Sequence, residues 1–225
     1  VRKVKKGASI IHLIEDLPKQ GSLPINALLA VGSVHQRLVK LGLRSDANII
    51  VTTSSARDTH QIACLIGFGA TAVYPTLAYQ TILDLTDRNE LKGDAHENCS
   101  RYRKGINKGL LKIISKMGIS TISSYRGSQL FEIVGLDKDV VDLCFTNTES
   151  RIKGKKLKDL DLELRSLNEY ARSNIADMKV GGLLKYIHGG EYHTYNPEIV
   201  KKLQEAVNSG MNSTYQDYST LVDNR

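Results

Sequence analysis

The sequence predicts an α/β fold: a partial or degenerate β/α (TIM-like) barrel with additional helices. Three observations predict it. Apolar runs of strand length alternate with amphipathic runs of helix length through the first third of the chain. The helices join successive strands as crossovers, which makes the strands parallel. The turn after the second strand has the frame of a barrel turn that grips phosphate, although its residues depart from one.

The first strand is read in ASIIHLIED (8–16), an isoleucine-containing run bounded by Gly7 and Pro18. Pro24 then stands near a helix start, and INALLAVGSVHQRLVKLG places Leu28, Leu29, Val31, Val34, Leu38 and Leu41 near helical spacing, with Gly42 as the stop. ANIIVTT (47–53) is the second strand. ARDTHQIACLIGFGA (56–70) is the second helix, with Ile62, Ala63, Leu65 and Ile66 turned inward. TAVYP is the third strand, ended by Pro75. These strands are apolar almost throughout, so both faces of the sheet are expected to be covered.

AYQTILDLTDRNEL reads as helix, GDAHENCS as a polar break, and 101–118 as another helix with Ile106, Leu110, Leu111, Ile113, Ile114 and Met117 apolar. Lysines 104, 108, 112 and 116 lie four apart on that helix and read as a solvated stripe. ISTISSYRGSQLFEIVGL (119–136) reads as strand-like first and helical last, and KDVVDLCF as an amphipathic turn or two. Residues 150–180 are polar and charged and read as a crossing between units. GGLLKYIHGGEYHTYNP reads as loop or hairpin, and 197–210 as a helix between Pro197 and Gly210.

With 225 residues, 41% hydrophobic and 24% charged, the chain has an ordinary globular composition and no apolar run of the ~20 residues that a bilayer requires. No signal peptide is read in the basic start VRKVKK, because acids follow at Glu15 and Asp16. Cys64, Cys99 and Cys144 are scattered, which argues against a disulfide framework or a zinc site and for a reducing, cytoplasmic setting. The formal net charge of +7 brings nucleic acid into question, but the cations are dispersed. Their strongest run, 151–165, turns acidic in its second half and reads as a solvated linker or helix face. Val1 is not a start methionine, so a piece of a larger protein is expected.

A phosphate-holding barrel turn wants glycines, so that bare backbone N–H groups close on the anion at a helix N-terminus. Here the turn reads TTSSA, and the next strand ends at Tyr74 and Pro75, where proline has no N–H to offer. Three roles compete: a retained flavin phosphate site, an anion pocket built from Ser54, Ser55 and Arg57, and a purely structural turn, which the residues favour. His35 and His60 on helices read as structural histidines. His188, Glu191 and His193 make a metal site only imaginable, and Cys64 reads as core. No catalytic or metal-binding residue is assigned.

LPINALLAVGSVHQRLVKLGLR, SSARDTHQIACLIGFGATAVYPTLAYQTI, YRKGINKGLLKIISKMGISTISSYRGSQLFEIVGL and HGGEYHTYNPEIVKKLQEAVNSG together resemble the large subunit of glutamate synthase, in order, over about residues 7 to 223. The segment GLLKIISKMGIST-x-x-SY-x-G-x-Q-x-FE-x-x-GL is long and specific. The resemblance implies an enzyme, an oxidoreductase acting on CH–NH2 donors, that moves the amide nitrogen of glutamine to 2-oxoglutarate and makes two glutamates. It further implies an amidotransferase domain, a flavin mononucleotide (FMN) barrel with an iron–sulfur cluster, and a central domain between them that looks like a barrel copy without flavin. Residues 1–150 then correspond to the C-terminal part of the central domain, 151–180 to a linker, and 181–225 to the start of the FMN-domain region.

The chain departs from that family where chemistry would sit. The usual VHHH is Val34-His35-Gln36-Arg37, the usual GEAREVHH is 54–61 with an acid and a histidine lost, and Tyr74 replaces an asparagine. No catalytic residue carries over, and no cofactor is expected in this fragment. The expected role is a scaffold that spaces the glutaminase and flavin sites for internal ammonia transfer, with 101–117 and 123–135 as docking elements. Expected partners are the remaining domains of the same subunit and a second copy of the fragment, not nucleic acid or membrane. The alternative is a stand-alone α/β anion- or metabolite-binding module without catalysis.

Overall fold

The computed structural model describes residues 1–15, 22–173 and 181–224. Its internal contacts divide it into two compact units, Val1–Tyr170 and Ala171–Arg225. Pro18, expected to bound the first strand, and the 174–180 part of the expected linker lie outside the described residues.

In the first unit, β1 (Ile10–Ile14), α1 (Ala27–Lys40), β2 (Asn48–Thr53), α2 (Thr59–Gly67) and β3 (Ala72–Pro75) follow the expected order. The strands form one parallel sheet in the sequential order β1-β2-β3, with Ile11 beside Ile49, Leu13 beside Val51 and Val51 beside Val73. One apolar core joins Ile49 and Val51 to Val31 and Leu38 of α1 and to Ile62, Ala63, Leu65 and Ile66 of α2. The four α2 positions expected to face inward are all buried there. The other face of the sheet departs from the expected double cover. Ile10 and Ile14 are each 57% exposed and Tyr74 is 52% exposed, so among the described residues that face lies largely open.

α3 (Thr76–Asp87) packs on α4 (Ala95–Lys116). α4 runs through the segment read as a polar break, because Asp94 caps it by accepting the Glu97 amide at 2.7 Å. The 119–136 segment reverses the expected order. Thr121 caps the short α5 (Ile122–Tyr125), and the end of the segment extends as β4 (Glu132–Leu136). The cause of the extension is long-range: β4 pairs in parallel with β5 (Glu149–Lys155) across α6 (Lys138–Cys144). α7 (Leu157–Arg172) follows.

This second βαβ unit is seated closely on the first. α6 crosses α1 at Gly32, where a Cβ would stand 2.3 Å from the Cys144 carbonyl oxygen, so only glycine fits without movement. Phe68 at the end of α2 sets its ring edge-on to Phe145, with centroids 4.7 Å apart, and tilted against Phe131 at 5.0 Å, which ties the two βαβ units through aromatic contact.

The second unit carries an irregular segment, 181–196, and two helices, α8 (Pro197–Ser209) and α9 (Asn212–Asp223). Asn196 caps α8 by accepting the Glu198 and Ile199 amides, Pro197 occupies its first turn, and Gly210 ends it in the left-handed region.

Candidate functional site

The register of the parallel sheet decides what the phosphate-like turn holds. Ile14 lies beside Thr52, and the Glu15 amide continues the ladder by donating to the Thr52 carbonyl at 2.9 Å. The next atoms along are the Glu15 carboxylate and the turn 53–55. The carboxylate accepts the Ser54 amide at 2.9 Å and the Ser54 hydroxyl at 2.6 Å, and it also accepts the hydroxyl of fully buried Thr53. Thr53 Oγ1 in turn accepts the Ser55 amide at 3.1 Å and shares a hydrogen with the Ser55 hydroxyl at 2.8 Å. Burial alone raises the Glu15 carboxyl, but hydrogen bonds from the Ser54 and Thr53 hydroxyls and from the Ser54 and Ser55 amides outweigh it and hold the group below its ordinary value. An internal carboxylate therefore sits among the donors that an external phosphate would need.

Sequence reasoning grouped Ser54, Ser55 and Arg57. The structure brings the two serines together around Glu15 and leaves the exposed Arg57 guanidinium without a hydrogen bond or ion pair among the described residues. The Arg57 backbone is fixed instead: its amide donates to Gln61 Oε1 at 2.7 Å and its carbonyl accepts the Tyr102 hydroxyl at 2.8 Å. Asp58 and Gln61 form a capping box at the start of α2. At the end of β3, Pro75 is buried and Tyr74 stacks on Tyr79 at 5.3 Å, with Tyr102 edge-on to Tyr79 at 5.5 Å. Glu15 is the residue that sequence reasoning missed. The sequence shows only an acid directly after the β1 run; its contact with the turn depends on the register of β1 with β2.

His35 is structural. Its Nδ1 accepts the Arg44 Nε–H at 2.9 Å, and Arg44 also donates to the carbonyls of Ala47 and Gly69, at the starting ends of β2 and β3. Burial, then the charges of Arg44 and Arg126, push the His35 ring down to about 4, so it is neutral at physiological pH and able to accept. Gly69 has φ of 129°, and a Cβ there would lie 2.6 Å from the His35 ring.

The remaining candidates do not converge. His60 Nε2 lies 3.7 Å from the Cys64 sulfur, and burial followed by the Asp58 charge pushes that thiol up, away from a reactive thiolate. His193 donates to the Gly182 carbonyl, and His188 pairs with the Tyr186 hydroxyl at 3.5 Å. Among the described residues no group of three or more His, Cys, Asp or Glu side chains is placed to hold a metal ion.

Residues 1–137 match the family model described as the glutamate synthase central domain. Over 213 residues the chain is 41% identical to a ferredoxin-dependent glutamate synthase of Pyropia yezoensis, covering 89% of this chain and 14% of that protein. It is 36% identical over 224 residues to the glutamate synthase [NADPH] large chain of Bacillus subtilis (strain 168), covering 99% of this chain and 15% of that one. Against the chloroplastic ferredoxin-dependent glutamate synthase of Spinacia oleracea it is 40% identical over 238 residues, with 99% and 15% covered. The chain thus spans about one seventh of the length of the curated relatives it matches.

Proposed function

The chain belongs to the glutamate synthase central-domain family, and we propose that it serves there as a scaffold between reaction centres and not as one of them. The observation that carries this reading is the Glu15 carboxylate in the 53–55 turn. A second anion placed there would meet a like charge and find the Ser54 amide and hydroxyl already engaged.

The wider architecture is proposed on the same footing. The sheet is a segment of a degenerate β/α barrel. Sequential strand order with α1 and α2 in one core is what successive crossovers of one hand produce in a barrel. The open face, with Ile10, Ile14 and Tyr74 exposed, is the face that barrel closure would line. Residues 1–150 belong in this reading to the central domain and 181–225 to the entry of the FMN region. The scaffold holds the glutaminase and flavin domains of the same subunit at a fixed separation, so that ammonia passes internally while glutamine and 2-oxoglutarate become two glutamates. FMN and the iron–sulfur cluster belong to those other regions. A second copy of the fragment is the further partner proposed, covering the open sheet face only where barrel strands do not. Matches to relatives named for ferredoxin and for NADPH, 41% and 36% identical, support reading the fragment as a part common to both. No helix of the described residues is long and apolar enough to cross a membrane, and the proposed setting is the cytoplasm.

Purified chain tests the reading directly: it is expected to be colourless and to leave NADPH unoxidised, whereas a flavin absorbance band would overturn it. The second reading, an anion-binding module, is favoured by the Arg57 guanidinium beside the turn, which has no partner among the described residues. An anion found against Ser54, Ser55 and Arg57 would establish it.

A further inference from the structure

α4 carries six cations between residues 101 and 116 (Arg101, Arg103, Lys104, Lys108, Lys112 and Lys116) and no acid. The four lysines are exposed, lie opposite the buried Leu110 and Ile114, and extend over about 18 Å of helix. Among the described residues none of them pairs with a carboxylate; the one ion pair of α4 is Arg101 with Glu97 at 2.6 Å. Like charges four apart on a helix repel, so the fold itself gains nothing from this ladder.

Gly105 makes an independent argument. It lies in the interior of α4, three residues before Lys108 and seven before Lys112, on the same face. A Cβ placed on it would meet nothing within 4 Å, so among the described residues no contact requires glycine. Glycine is nevertheless among the least favourable residues for a helix interior. Gly109 shows the contrast: a Cβ there would lie 2.6 Å from Thr59, so packing against α2 explains it. At Gly105 the helix backbone is bare between cations, which suits the close approach of another chain. Leu111, 63% exposed, borders the same face and offers apolar contact. The aromatic within this run, Tyr102, is engaged inside the fold, its hydroxyl on the Arg57 carbonyl and its ring edge-on to Tyr79, so it is not a free platform on which a base would stack.

We infer that this face of α4 docks an acidic polypeptide segment, whose backbone crosses Gly105 while its carboxylates pair with Lys108 and Lys112. The inference rests on the scaffold reading in taking α4 as a docking element, and it adds the face and the chemistry of the partner. The complementarity is of charge and of shape: cations supply attraction and the missing side chain supplies room.

The 225-residue chain, titrated with fluorescein-labelled poly-L-glutamate, tests the proposal through fluorescence anisotropy, with a DNA oligonucleotide of matched charge as competitor. The chain is expected to bind the probe, and K108E/K112E to weaken binding by about tenfold or more. Gly105→Leu, which changes no charge, is expected to weaken it by about fivefold or more. Gly105→Ala is expected to raise the melting temperature, since none of the described residues opposes the methyl group. Absence of binding, equal binding by Gly105→Leu, a lowered melting temperature for Gly105→Ala, or tighter binding of the DNA than of polyglutamate would each overturn the proposal. A flavin band in the purified chain would overturn the scaffold reading and leave this titration unaffected, so the two failures are distinguishable.

Discussion

Glu15 and Ser54, 39 residues apart in sequence, are joined by two hydrogen bonds of 2.9 and 2.6 Å from the serine amide and hydroxyl to the glutamate carboxylate. The contact crosses from the end of β1 to the end of β2, so it clamps the sheet where its strands stop. Substitution Glu15→Ala is expected to destabilise the fold by about 1–3 kcal/mol, the lower part of that range applying because the carboxylate is only partly buried. The midpoint of urea unfolding measures it.

The same clamp predicts a pH dependence. The folded-state pKa of Glu15 lies below its unfolded value, so its contribution is complete above the ordinary carboxylate range and is lost as pH falls through the folded value. The urea midpoint of the wild-type chain is expected to fall more steeply than that of Glu15→Gln on acidification into that range. Parallel curves would contradict the assignment.

His35 predicts a second, separate window. Its folded pKa of about 4 lies below the ordinary 6.5, so between those values the unfolded chain binds the extra proton and stability rises with pH. The slope is at most about 1.4 kcal/mol per pH unit, less what solvent screening removes at this half-buried ring. Replacement by asparagine, whose side-chain oxygen can still accept from Arg44, is expected to flatten the curve in that window while leaving the fold intact.

Much of this was legible in the sequence, and the parts that were not share a cause. The β1-α1-β2-α2-β3 run and α8 declared themselves through local signals: apolar runs, an inward face at Ile62, Ala63, Leu65 and Ile66, and Pro197 with Gly210 at the ends of α8. β5 did not, because nearly all of its residues are exposed and no apolar alternation marks ESRIKGK. Its strand state depends on pairing with β4, seventeen residues earlier at Glu132 and Glu149. α7 hid its leucines among charges, so its segment read as linker. At the turn, the missing glycines were visible at once. What replaced them was not, since the replacement comes from the neighbouring strand.

Close packing between the two βαβ units predicts a sharp contrast between glycines. Gly32→Ala places a methyl group against the Cys144 carbonyl and Phe145, within an interface too tight to yield freely, and is expected to cost about 1–3 kcal/mol. Thermal unfolding compared with Gly105→Ala reads this out: the two substitutions are expected to shift the midpoint in opposite directions.

The most direct measurement is a titration of FMN into the wild-type chain and into Glu15→Ala, followed by flavin fluorescence and by phosphorus NMR of the ribityl phosphate. The account predicts no saturable binding to the wild-type chain, because its own carboxylate sits where the phosphate would go. Saturable binding to the wild-type chain, with the phosphate resonance perturbed and the perturbation lost on substituting Ser54 with alanine, would contradict it.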